Sequence, residues 1–192
     1  NLEDIYLKHF YDSLTITKVI DLKKCTTLLD FGTGAGFPGM VLKIFFPDLK
    51  VTLLDSNNKK IKFLTELQEK INVDNLELIN TRVENIRNER LNHYDIVTAR
   101  AVTNMPVLTE LAMPLVKVNG YFIAMKGSNK EEIEDGKFAI TKMHGIVEEI
   151  NTFILSDVAG VRNIVKVKKE SATLDNELRS YEKIVKKPLA KN

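Results

Sequence analysis

The sequence predicts an α/β protein with an open, doubly wound, mostly parallel sheet, and three observations predict it. Short apolar runs of strand length alternate with longer runs of helical period along most of the 192 residues. The first strand-like run leads into a glycine cluster, Gly32-Thr33-Gly34-Ala35-Gly36, ahead of a helical stretch. The second ends in a carboxylate, Asp55. Ligands of open α/β sheets bind beyond the carboxyl ends of the strands, so the last two features mark where a site belongs.

In order, residues 3–20 read as a helix, because Leu7, Phe10 and Leu14, with Ile5, fall near helical spacing. Residues 26–31 are the first strand. Pro38 sits where proline is tolerated in a first helical turn, and the helix over 40–46 ends at Pro47-Asp48. Residues 50–54 form the second strand. Ser56 or Asn57 caps a helix running to about Ile71. Residues 75–80 and 94–99 are the third and fourth strands, and a helix covers 107–116. A fifth strand over 120–125 carries Lys126-Gly127 at its end, and 130–143 is helical. Residues 146–154 and 161–168, joined through Val158-Ala159-Gly160, form a hairpin expected as an antiparallel edge. Seven strands with helices on both faces make one domain over 1–192. It comprises an N-terminal helical segment (1–24), an α/β core (25–170) and a basic tail (171–192), with the lysine-rich end after Arg179 expected to be poorly ordered.

Composition is that of an ordinary globular chain, 44% hydrophobic and 28% charged. A single cysteine, Cys25, excludes an intrachain disulfide and a CxxC zinc or redox pair, which suits a reducing cytoplasm. No apolar run approaches the roughly 20 residues of a membrane span. No signal peptide is visible, and the chain opens Asn1-Leu2-Glu3 without a methionine, which suggests further residues upstream. From Asp157 onward there are nine Lys/Arg against five Asp/Glu, and nineteen against twenty-one before it. A basic C-terminal segment on a mildly acidic body reads either as a nucleic-acid footprint or as a solubilising tail.

The glycine cluster admits two cofactors. Gly34-x-Gly36-x-x-Gly39 satisfies the dinucleotide fingerprint, with Asp55 near the expected spacing. Against that reading, Asp30 stands two residues before Gly32, where a buried carboxylate would repel a pyrophosphate. It suits a ligand bearing an ammonium and a sulfonium. Asp55 can accept both ribose hydroxyls of either cofactor.

The pattern from Asp30 through Gly36 resembles the first motif of class I methyltransferases. Lys8-His9-Phe10-Tyr11-Asp12-Ser13-Leu14 resembles a signature of one such family, the bacterial small-subunit ribosomal RNA guanine-N7 methyltransferases (glucose-inhibited division protein B). Phe37-Pro38-Gly39, Pro47-Asp48, Val51-Thr52-Leu53-Leu54-Asp55-Ser56, Lys59-Lys60, Phe63-Leu64, Arg82-Val83-Glu84, Ala99-Arg100-Ala101-Val102 and Met125-Lys126-Gly127 extend it in order, over about residues 7–170. The resemblance implies a Rossmann-like class I fold. It also implies methyl transfer from S-adenosylmethionine, leaving S-adenosylhomocysteine, to N7 of a guanine (position 527) in 16S ribosomal RNA. It places Gly32, Phe37, Val83, Glu84 and Arg100 at the cofactor, Val83-Glu84 bordering the adenine, and by analogy with class I enzymes Asp55 at the ribose. Asp30, Gly34 and Gly36 complete the expected cofactor set. The proline- and arginine-rich end of the family is reduced here to basic character and Pro188-Leu189.

The acceptor chemistry agrees. The place after the fourth strand reads Thr98-Ala99-Arg100-Ala101, without the Asn/Asp-Pro-Pro-aromatic motif of exocyclic amine methylation. Pyrimidine C5 methylation needs a cysteine nucleophile, and Cys25 precedes the first strand, away from the expected site. Guanine N7 carries a lone pair and no proton, so it asks for positioning rather than a base. His9, Asp12, Arg100 and Lys126 are candidates near the substrate, with no catalytic role assigned. Their plainer readings are a hydrogen-bonded helix pair for His9 and Asp12, a salt-bridge partner for Arg100 and a surface lysine for Lys126. Lys59, Lys60 and Lys62 read as a solvated helix face. Arg162, Lys166, Lys168 and Lys169 are candidates for an RNA strip. The expected protein is a cytoplasmic monomer using no metal and no membrane, with the small ribosomal subunit or an assembly intermediate as partner. Rival readings are a small-molecule methyltransferase, a nicotinamide-dependent oxidoreductase and a non-catalytic assembly factor that keeps the pocket.

Overall fold

A computed structural model describes residues 2–190; residues 1, 191 and 192, at the ends of the expected helical segment and tail, lie outside the described residues. Seven strands form one sheet in the order β3-β2-β1-β4-β5-β7-β6. They are β1 (Thr27–Phe31), β2 (Lys50–Asp55), β3 (Leu76–Asn80), β4 (Tyr94–Arg100), β5 (Val116–Lys126), β6 (Gly145–Ser156) and β7 (Gly160–Lys169). β3, β2, β1, β4 and β5 run parallel; β7 lies antiparallel between β5 and β6. The expected antiparallel edge is thus the β6–β7 hairpin, with β6 outermost. Strand order reverses between β1 and β4, the switch point where such sheets bind ligands.

Both sheet faces are covered, which is why the central strands read as unbroken apolar runs. On one face Ile16, Leu28, Leu53, Ile123 and Ile164 pack together. On the other Leu29, Val97, Phe122, Val165 and Val167 pack with Leu108, Ile133 and Ile140. The helices that cover them are α3 (Gly39–Phe45), α4 (Asn58–Ile71), α5 (Met105–Ala112) and α6 (Lys130–Lys142), after the short N-terminal helices α1 (Leu2–Ile5) and α2 (Asp12–Leu14). Asn57, not Ser56, caps α4, its side chain accepting from the Lys59 amide at 3.0 Å. β5 begins at Val116, ahead of the Gly120 start that the pattern suggests.

Two expectations are corrected. The stretch expected as one helix over 3–20 is helical only to Lys18 and is not one helix: between α1 and α2 lies a π-helical turn, Tyr6–Tyr11, and after α2 a 3-10 turn, Thr15–Lys18. The hydroxyls of Ser13, Thr15 and Thr17 donate back to the carbonyls of His9, Asp12 and Leu14, a competition that bends helices. The described part of the tail after Arg179, residues 180–190, is packed rather than loose. Its helix α7 (Tyr181–Lys186) buries Ile184 completely.

Lys169 anchors the start of that tail. It is fully buried, and its ammonium donates to the carbonyl of Met113 and, at 2.7 Å, to Thr173 Oγ1. Burial pulls its pKa down to about 8. Replacing it removes both bonds and leaves a cavity beside the Thr173 hydroxyl, so Lys169→Ala should lose about 2–4 kcal/mol of unfolding free energy in urea. A loss under about 0.5 kcal/mol, the range of ordinary surface changes, would refute the anchoring role.

Candidate cofactor and substrate site

At the carboxyl end of β1 the turn is built around Asp30. The side chain is fully buried. Its Oδ2 accepts from Thr33 Oγ1 at 2.6 Å and from the Gly39 amide at 2.8 Å, so one oxygen ties the start of the glycine loop to the start of α3. Oδ1 has no hydrogen-bond partner among the described residues. Burial pushes the carboxyl up to about 6; the bonds from Thr33 and Gly39 and the nearby Arg100 charge only partly offset this, and Asp55 adds to it. Asp30 therefore shapes the loop from beneath.

The loop glycines differ in what they permit. Gly32 has φ +67, and a Cβ there would lie 2.7 Å from a Val102 methyl. Gly36, at φ +97, is closed by Met40. Gly34, at φ +62, faces open space; a Cβ would approach only the Lys60 ammonium, at 4.0 Å. Backbone need explains glycine at all three, and only at Gly34 does the missing side chain leave room for a ligand. Asp55 faces the same space. Its Oδ2 accepts from the Gly34 amide and its Oδ1 from the Asn57 amide, both at 2.9 Å, with Lys60 at 3.5 Å. A carboxylate has about four lone-pair positions, which leaves capacity for hydroxyl donors.

Beside Asp55 a cavity of about 240 Å³ is walled by Gly32, Leu54, Val83, Glu84 and Val102. Val83 is buried at the start of the 3-10 turn Val83–Ile86. Sequence reasoning found Gly32, Asp55, Val83 and Glu84 here. It missed Ser56, Arg82 and Val102, which the family motifs contain, and Tyr181, which no strand-end signal marks because it arrives from the tail.

On the other side of the loop the N-terminal segment closes in. Arg100, at the end of β4, donates through Nη1 to Asp12 Oδ2 at 3.0 Å and to the Lys8 carbonyl at 3.2 Å. Its Nη2 meets His9 Nδ1 at 3.3 Å. Arginine only donates, so Nδ1 is the bare nitrogen of the His9 ring. Arg162 of β7 sets its Nε 3.3 Å from Asp12 Oδ1, an ion pair without hydrogen-bond alignment. The Phe37 ring is enclosed by His9, stacked at 5.1 Å, by Phe10 edge-on at 5.4 Å and by Arg100 at 5.5 Å. The plain pairing of His9 with Asp12 becomes a three-way contact through Arg100.

Other candidates are spoken for. Lys126 is buried, paired with Glu132 and donating to the Thr103 carbonyl at 2.7 Å, so it holds the β4–α5 loop rather than standing on the surface. The expected RNA strip is split. Lys169 is withdrawn from it, because strand alternation turns it into the core opposite Arg162, Lys166 and Lys168. Lys166 pairs with Glu148 at 2.6 Å and lies over the Tyr121 ring at 4.5 Å, while Lys168 is half-buried. Cys25 sits half-buried before β1, at the opposite end of the sheet from the glycine loop.

A seven-stranded sheet of this order, with a glycine turn after β1 and a carboxylate after β2, defines a class I methyltransferase fold. Its likeness to solved structures includes TYW2 of M. jannaschii in complex with AdoMet, at TM-score 0.67 and 15% identity, covering 84% of this chain and 76% of that one. The model of the family rRNA small subunit methyltransferase G matches residues 1–165, and the chain belongs to that family. Its relatives include the Ribosomal RNA small subunit methyltransferase G of Staphylococcus carnosus, 45% identical over 98% of this chain and 80% of that protein. That of Oceanobacillus iheyensis is 47% identical over 89% and 73%. Among the described residues no helix is long and apolar enough to cross a membrane.

The Asp30 carboxyl gives a pH test. Folded, it keeps its proton to about pH 6; unfolded, it releases it near 3.8. Between these values the folded state binds more protons, so stability falls as pH rises. Between pH 4 and 7 the wild type should lose about 2 kcal/mol relative to Asp30→Asn in urea unfolding. A pH-independent difference between the two would show that the buried carboxyl titrates normally.

Proposed function

We propose that this chain transfers a methyl group from S-adenosylmethionine to N7 of the guanine at position 527 of 16S ribosomal RNA. It would act in the cytoplasm as a monomer, on the small subunit or an assembly intermediate. The observation that carries the cofactor reading is the open face of Gly34 opposite the Asp55 carboxylate, beside a cavity bordered by Val83 and Glu84. These residues fit the group. Asp55 would take the ribose hydroxyls, Val83-Glu84 the adenine, and the loop from Gly32 to Phe37 the methionine end. The unpaired, buried Asp30 Oδ1 favours a cationic ligand over a pyrophosphate. When bound, S-adenosylmethionine supplies an electrophilic methyl on a sulfonium.

What the protein must then do is hold an acceptor in line and keep water away. N7 presents its own lone pair, so no proton has to be removed. The site's composition suits that demand. The Asp12 carboxylate is committed to two guanidinium groups, and the His9 ring turns its basic nitrogen to Arg100. Neither is placed as a general base, which disfavours an amine acceptor. The assembly Phe37–His9–Arg100 is a rigid cationic and aromatic wall suited to a splayed-out base.

Incubation with methyl-labelled S-adenosylmethionine and small subunits lacking their own modification, followed by strand scission specific to 7-methylguanine, tests this reading. One labelled guanine in the expected loop is the predicted outcome; label on another base or none at all would overturn the acceptor. Gly34→Ala separates binding from folding. It should reduce S-adenosylhomocysteine affinity at least roughly tenfold in calorimetry, while costing only about 1 kcal/mol of stability for a side chain at positive φ. Unchanged affinity would remove Gly34 from the pocket.

A further inference from the structure

We infer that the C-terminal segment forms the outer wall of the cofactor pocket, with Tyr181 closing its adenine end. The inference rests on the cofactor reading above. Tyr181 lines the same cavity as Val83 and Glu84, and its ring lies 5.3 Å from the Arg82 guanidinium. It is 36% exposed, yet it stands on a helix whose next turn plants Ile184 in the core. An aromatic ring left half-open on a fixed support, against a cavity with apolar walls, is a surface for a flat heterocycle.

The support is fastened at both ends by one buried carboxylate. Glu110 of α5 is 2% exposed. Its Oε2 accepts from Arg179 Nη1 at 2.7 Å and its Oε1 from the Leu189 amide at 2.8 Å. Arg179 also donates to the Lys187 carbonyl at 2.6 Å, and its own carbonyl accepts from the buried Arg87 at 2.9 Å. Residues 179–189 thus form a strap closed on Glu110, with Tyr181 on its pocket side. Lys183, Lys186 and Lys187 are exposed on the same strap. Cofactor contact and the basic character of the tail therefore belong to one structural unit.

The chain contains no tryptophan, so Tyr181→Trp creates a single reporter at the proposed wall. Its emission should shift or quench saturably as S-adenosylhomocysteine is added. Tyr181→Ala should weaken S-adenosylhomocysteine roughly tenfold by calorimetry, whereas Tyr181→Phe should stay within about twofold. In the methyl-transfer assay Tyr181→Ala should raise KM for S-adenosylmethionine and leave kcat at saturation unchanged, a split that a merely structural role would not produce. A silent tryptophan together with wild-type affinity in Tyr181→Ala would overturn the inference and leave the cofactor reading standing. Should Tyr181→Ala fail to fold, the tryptophan titration decides alone. A wild-type chain that binds no S-adenosylhomocysteine overturns the cofactor reading itself.

Discussion

One buried oxygen organises the site. Asp30 Oδ2 joins the Thr33 hydroxyl to the Gly39 amide, and that single acceptor fixes where the loop leaves β1 and where α3 starts. Around this knot the backbone can turn through Gly32, Gly34 and Gly36 at positive φ, and the Gly34 amide is delivered to Asp55. The cost is a carboxyl kept in apolar surroundings with its second oxygen unpaired. Burial raises its affinity for a proton, and a positive charge arriving above the loop would relieve the same strain.

The two ends of the chain complete what the loop begins. The N-terminal segment brings His9 and Asp12 to Arg100, and the π-helical turn is what sets His9 against Phe37. The C-terminal segment brings Arg179 and Tyr181 to the other side of the pocket. Asp12 and Glu110 play matching parts: each is a nearly buried carboxylate that accepts from an element distant in sequence. A buried acid so paired is costly to strip of its partner, because the remaining charge has nowhere to be solvated.

The sheet was legible because its central strands are buried on both faces and its turns carry glycine, proline and asparagine. Asp30, Gly34 and Asp55 were legible because strand ends in an α/β sheet predict where function gathers. Sequence order hid contacts between elements far apart. Lys169 shares the face of Val165 and Val167 by strand alternation, but a lysine at the end of that row reads as surface until the carbonyl and hydroxyl that receive its ammonium are seen. Nor does a run of lysines around a tyrosine announce a strap. Glu110, in the middle of an apolar helix, was the available signal, since a carboxylate there needs a partner.

The place of β7 also bears on how the chain is made. β6 pairs only with β7, and the outer edge of β5 is likewise satisfied by β7 alone. A nascent chain that has emerged through Ser156 therefore carries an open β5 edge and a detached β6. Both are resolved at one moment, when residues 160–169 insert between them. Until then the growing chain presents an unpaired apolar strand edge, the feature that invites misassembly. Closure of the sheet and delivery of Arg162 to Asp12 are thus one late event, so the carboxylate that holds Arg100 gains its second cation only when the sheet is complete.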